Sequence, residues 1–314
     1  MPYIVNVILI ILTSGLPCSL LALGIFLTYR ILDFADLTAE GSFLIGGATC
    51  LSMIKNGVNP ILATLCGFLA GGVCGFITGI LNTQLKIPKI LSGIITMTAS
   101  ASIAMVIMGT TVHGNPFTNL VTLGNDSVTI FSAIQPGGDF KKYNMLIEAG
   151  LMLAIVVLVI VVLYLFFGTE YGMAIRTTGM NEKMARANGI NTNLATIVCV
   201  TLSNAIIGLA GCLFVQDSRS IDIKTASGFL VIGLASIIIG EAIFGKRTFK
   251  NWLISVSMGA IIYFTVVTIA LEAGFPTQLK NLLYALLITI ALCIPLIKSL
   301  FKKGKRKPKV VKTS

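Results

Sequence analysis

Residues 146–167 read LIEAGLMLAIVVLVIVVLYLFF, with Glu148 as the only charge in the run. An aqueous protein cannot cover so long an apolar helix, whereas a bilayer core needs about 20 such residues in a row. Eight further apolar runs flank it: Ile4–Leu27, Thr38–Ile54, Pro60–Asn82, Ile90–Gly109, Asn193–Val215, Ala226–Phe244, Asn251–Leu271 and Gln278–Ile297. Backbone amides find no water in lipid, so each run is expected as a helix. The predicted fold is an all-α, polytopic transmembrane helix bundle of about nine spans (eight to ten). Residues 1–300 form the membrane domain and residues 301–314 a basic tail.

Composition agrees. Only 11% of the 314 residues are charged and 55% are hydrophobic, against about 25% charged in soluble domains; mean hydropathy is +0.94. A soluble globular domain, a disordered chain and a disulfide miniprotein are excluded. The net charge of +11 does not indicate nucleic acid, because the cations flank apolar runs or lie in the tail KKGKRKPKVVKTS. With the tail inside, inner loops hold 17 of the 23 basic residues and outer loops six. The positive-inside rule then places the carboxyl terminus in the cytoplasm of a cell-membrane protein, and nine spans place the amino terminus outside. Cysteines 18, 50, 66, 74, 199, 212 and 293 lie in or beside apolar runs without metal-ligand spacing. The amino terminus lacks the basic n-region of a cleavable signal.

Two interruptions are expected within the helices. Ser14-Gly15-Leu16-Pro17 predicts a kink in the first run. The second and seventh runs are short and glycine-bearing, as broken or re-entrant helices are. Gly67, Gly71, Gly75 and Gly79 fall on one face of the third, open to close helix approach. Either a dimer or gating seam or packing within the chain would use such a face.

Chemistry is sparse. Gly240–Arg247 nearly spells a phosphate loop, but Arg247 replaces the magnesium-binding hydroxyl and no strand precedes it. His113 stands alone, so no metal or nucleophile constellation can be built. Glu241 lies near the inner end of an apolar span, in IIIGEAIFG. It is either a pathway residue or an interfacial carboxylate paired with Lys246 or Arg247. Thr38, Ser42, Thr96, Ser100 and Asn204 are the polar candidates for a translocation pathway. The inner loop 168–192 is shaped differently. Asn181 can cap a short helix beginning near Glu182, and Gly189 can end it. Met184, Ala185 and Ile190 then form an apolar dock on a chain that carries no nucleotide site.

That loop resembles the signature of branched-chain amino-acid and ribose-type permeases, the membrane subunits of ATP-binding-cassette importers. Gly172, Arg176, Gly179, Asn181, Ala185, Gly189 and Ile190 match it. Asp36-Leu37-Thr38-Ala39-Glu40-Gly41-Ser42 is similar to the entry of the second core helix in that group, and Ile237–Ile262 to a later glycine-rich element. Glu40 and Gly240-Glu241 depart from the sugar permeases. They resemble the amino-acid permeases associated with tryptophan/tyrosine-type binding lipoproteins.

The resemblance implies a type II importer-like bundle that catalyses nothing and binds no cofactor itself. ATP and magnesium would sit on two cytoplasmic ATPase subunits. These would grip Gly172, Arg176, Gly179, Asn181, Glu182, Ala185, Gly189 and Ile190. A homodimer or pseudo-dimer of permeases would enclose the pathway, and an extracellular binding lipoprotein would deliver the solute, an amino acid of aromatic type. The alternatives are an ion-coupled secondary transporter, which usually needs mid-membrane ionisable residues, an importer for a sugar or nucleoside, and a non-transporting scaffold.

Overall fold

The computed structural model describes residues 3–109, 118–124, 127–134 and 144–275, together with residues 282, 285, 286 and 289. Twelve α-helices fill these segments: α1 (Tyr3–Phe26), α2 (Thr38–Lys55), α3 (Pro60–Thr83), α4 (Lys89–Gly109), α5 (Ile130–Ile134), α6 (Asn144–Phe166), α7 (Glu170–Met180), α8 (Glu182–Ala187), α9 (Thr192–Ser218), α10 (Ile223–Ala226), α11 (Phe229–Phe244) and α12 (Phe249–Glu272). The first eight apolar runs coincide with α1, α2, α3, α4, α6, α9, α11 and α12. The ninth run, 278–297, falls almost wholly outside the described residues, as do His113 and the basic tail.

Six helical stretches among the described residues have full spanning length and hydropathy: Val7–Ile31, Pro60–Thr83, Lys89–Gly109, Asn144–Phe166, Thr192–Ser218 and Phe249–Glu272. The second and seventh runs are continuous helices, but short ones. α2 has 18 residues and α11 has 16, or about 27 and 24 Å of helix against a core of about 30 Å. α2 is also rich in Gly, Ser and Thr, and 14 of its residues are buried. Burial against α3, α4 and α9, not lipid contact, accounts for its low hydropathy.

α1 runs through Pro17 without a break. The α-geometry changes further on, in a π-turn over Leu27–Ile31, where the Leu32 amide donates to the Leu27 carbonyl at 3.1 Å. Two three-residue strands add the only sheet among the described residues. β1 (Leu120–Thr122) pairs antiparallel with β2 (Ser220–Asp222), Val121 opposite Ile221. Strands so short carry no periodic signal, and the all-α expectation omits them.

Glycine sets the helix spacing. Gly67, Gly71, Gly75 and Gly79 of α3 all face α9. A Cβ at Gly71 would lie 2.5 Å from the Asn204 carbonyl oxygen, and one at Gly75 would lie 2.5 Å from that of Val200. At Gly67 it would meet the Cys212 sulfur, and at Gly79 the backbone of Ile197. The α3 stripe is therefore used inside the chain. Gly208 of α9 also meets Gly46 of α2, so three helices touch backbone to backbone around Gly46, Gly67, Gly71 and Gly208. Close approach of this kind substitutes dispersion for the hydrophobic drive that lipid does not supply.

Candidate functional site

The connection between α1 and α2 brings Asp36 into the bundle, where it is fully buried. Its Oδ1 accepts from the Thr38 amide at 2.8 Å and its Oδ2 from Asn204 Nδ2 at 2.7 Å. Asn204 Oδ1 in turn accepts from the Ser42 hydroxyl at 2.7 Å, and the Thr38 and Thr78 hydroxyls pair at 2.8 Å. Desolvation raises the Asp36 carboxyl above its ordinary value, against the bonds from Thr38 and Asn204. Three of the polar residues singled out above, Thr38, Ser42 and Asn204, thus share one network tying α2 to α3 and α9.

Ser100 lies alongside, its hydroxyl 3.2 Å from the Cys74 sulfur, while Thr96 and Ser100 each donate to a carbonyl one turn earlier on α4. All five are buried, and their hydrogen bonds are made within the chain. The hub, Asp36, is absent from the sequence-based set. Its signal was the Asp two residues before a Thr at a helix start, a capping pattern that also hides a buried carboxylate.

Glu241 takes no part in that network. Its Oε2 accepts from Arg30 Nη2 at 2.6 Å and its Oε1 from the Trp252 indole at 2.8 Å. The partner expected from sequence, Lys246 or Arg247, is replaced by Arg30, because the π-turn carries that residue to the carboxyl end of α11. Lys246 instead stands over the Trp252 ring at 5.8 Å.

The loop after α6 forms two helices, where sequence suggested one. Thr169 caps α7 and Asn181 caps α8, its Oδ1 accepting from the Met184 amide at 3.1 Å. Gly189 leaves α8 with φ +80°, a value that favours glycine. Asn191 then caps α9.

The signature residues split by role. Gly179 lies directly on the Ile31 carbonyl and Gly172 on the Phe167 backbone, leaving no room for a Cβ. The Arg176 guanidinium stacks 3.8 Å from the centre of the Phe249 ring, and Ala185 is buried. Glu182 pairs with Arg186 at 2.7 Å. Gly179 and Arg176 thus hold α7 against the π-turn and α12, the Glu182–Arg186 pair lies within α8, and Ala185, being buried, is no part of an exposed dock. The outward surface consists of Tyr171, Met173, Met180 (87% exposed) and Met184 (64% exposed), with Ile190 half-buried beside them. Among the described residues no group of three potential metal ligands occurs.

Spanning helices thus carry a capped helix pair whose outward face is apolar and exposed. The family model described as branched-chain amino acid transport system / permease component matches residues 7–292.

The chain belongs to this permease family.

It is 34% identical over 283 residues to the tyrosine transport system permease protein of Clostridioides difficile, covering 90% of this chain and 88% of that one. It is 27% identical to the galactofuranose transporter permease protein of Escherichia coli, over 92% of this chain and 78% of the relative. A probable branched-chain amino acid transport permease of Methanocaldococcus jannaschii is 26% identical, over 88% and 86%. No solved structure matches. The permease is accordingly a non-catalytic membrane subunit of an ATP-binding-cassette importer. Family membership implies a partner ATPase and a binding protein.

Proposed function

We propose that this permease forms the translocation pathway of a type II importer-like transporter for an aromatic amino acid, in the cell membrane with its carboxyl terminus in the cytoplasm. Two permease chains, identical or homologous, enclose the pathway. Two ATPase subunits bind α7 and α8, and an extracellular lipoprotein delivers the solute.

The observation that carries this reading is the seat of α7. Gly179 rests on the Ile31 carbonyl, the π-turn holds Arg30, and Arg30 binds Glu241 at the foot of α11. A push on the outward methionines of α7 and α8 therefore reaches α1, α11 and α12 through rigid contacts. Ligand-driven closure of the ATPases can select between two such arrangements. Ser42, Asn204, Thr38, Thr96, Ser100 and Glu241 are the polar groups available to the pathway when those helices shift.

The aromatic solute is supported by the tyrosine permease relative and by Glu40. This carboxylate accepts from the Gly228 amide at 2.9 Å and has no salt bridge among the described residues, so its second oxygen suits an ammonium group. The test is reconstitution of the complete transporter with its ATPase and binding protein, followed by competition for uptake of labelled tyrosine. Unlabelled phenylalanine or tryptophan should compete and ribose or galactofuranose should not. Competition by a sugar alone would overturn the assignment.

A further inference from the structure

Four cations surround one pocket of about 370 Å³ at the end of the bundle that carries α7. Arg30 comes from the π-turn, Arg176 from α7, and Lys246 and Arg247 from the turn between α11 and α12; Phe249 and Trp252 complete the wall. Glu241 is the carboxylate bound there, and Arg30 and Trp252 occupy both of its oxygens. Among the described residues, Arg176, Lys246 and Arg247 form no salt bridge. The Arg30 Nε is buried and has no hydrogen-bond partner among the described residues. The three cations Arg176, Lys246 and Arg247 leave a surplus of positive charge at the pocket that no carboxylate among the described residues neutralises.

We propose that this pocket binds the phosphate of an anionic phospholipid. The required chemistry is a phosphate oxygen set, which guanidinium groups match as a fork and ammonium groups as a point charge. Two features favour lipid over soluble phosphate. Trp252 stands among the cations, and an amphipathic indole belongs at headgroup level. Ile243 and Phe244, immediately before the basic turn, are exposed apolar side chains, so acyl chains have a surface to follow away from the headgroup. Basic pockets between spanning helices on the cytoplasmic side are suited to such headgroups. The lipid would then touch α7, the π-turn and α12 at once, without contacting the solute, so the inference stands apart from the identity of the solute.

Trp252 is the only tryptophan in the chain, so its fluorescence reports on this pocket. The full-length permease, reconstituted in phosphatidylcholine vesicles, is titrated with phosphatidylglycerol brominated near the top of its acyl chains. Brominated phosphatidylcholine serves as the reference. The expected result is quenching by the anionic lipid at far lower mole fraction than by the reference. Lys246→Gln/Arg247→Gln should weaken that preference roughly thirtyfold, and Arg247→Gln alone roughly fivefold, should the double variant misfold. Lys224→Gln, remote from the pocket, should keep the preference. Equal quenching by the two lipids, or equal loss of preference in Lys224→Gln, would overturn the proposal. So would release of the quencher by inorganic phosphate, which would reassign the site to a soluble anion. Preference that disappears when the ATPase is bound would likewise assign the pocket to an acidic protein side chain.

Discussion

Arg30 and Glu241 stand 211 positions apart in sequence and form a 2.6 Å ion pair, Nη2 to Oε2. The carboxylate side chain is 11% exposed and the guanidinium 32%, so the pair is only partly screened. Replacing Glu241 with Gln leaves the guanidinium without its counter-charge and can satisfy only part of the donor set from Arg30 and Trp252. The expected cost is about 2 kcal/mol of stability. Thermal unfolding in detergent should show it, and the double variant Arg30→Gln/Glu241→Gln should recover part of it. Uptake should fall further than assembly with the ATPase. Wild-type uptake in Glu241→Gln would make the pair a passive interfacial contact.

The glycine seam makes a second prediction. Gly75→Ala places a methyl group against the Val200 carbonyl and should lower the melting temperature, as α3 must move off α9. Gly150 lies in α6 with no neighbour within 4 Å of a built Cβ. Gly150→Ala should therefore be neutral or stabilising by up to about 1 kcal/mol, the helix-propensity difference. Equal effects at both positions would contradict the packing argument.

The Asp36 carboxyl is raised from its usual 3.8 by burial. The folded chain thus holds this proton more tightly than the unfolded one. Its stabilising contribution is complete below the ordinary value and is lost as pH climbs through the raised one. Melting temperature should decline across that window in the wild type, and the decline should be shallower in Asp36→Asn. Identical pH profiles would remove Asp36 from the account.

Outward and inward residues of the loop should separate experimentally. Met180→Glu and Met184→Glu place a charge on the exposed surface of α7 and α8. They should abolish co-purification with the ATPase at unchanged melting temperature. Arg176→Glu instead loses the stack on Phe249, one worth about 1 kcal/mol where partly exposed, and should lower the melting temperature. Retained ATPase binding in both methionine variants would place the docking surface elsewhere.

The boundaries of α3, α4 and α12 were readable to within a residue or two, because lipid leaves hydropathy as the dominant signal. Asn181 as a cap and Gly189 as a stop were readable for a similar reason: each satisfies a backbone need that is local in sequence. Long-range partners were not. The Arg30–Glu241 pair depends on a π-turn that adds no recognisable residue pattern, and the Arg176 stack depends on Phe249 arriving from another helix. The Gly46–Gly208 contact escaped because each glycine lacks an obvious repeat of its own. The Asp36 hub escaped because a capping aspartate and a buried one look alike.

This membrane subunit is expected to move solute only when a separate ATPase drives α7 and α8. Uphill accumulation of labelled tyrosine in proteoliposomes tests it most directly. The permease with its ATPase, binding protein and ATP should concentrate the solute, and the permease alone should not do so under any proton or sodium gradient. Gradient-driven accumulation by the permease alone would contradict the account.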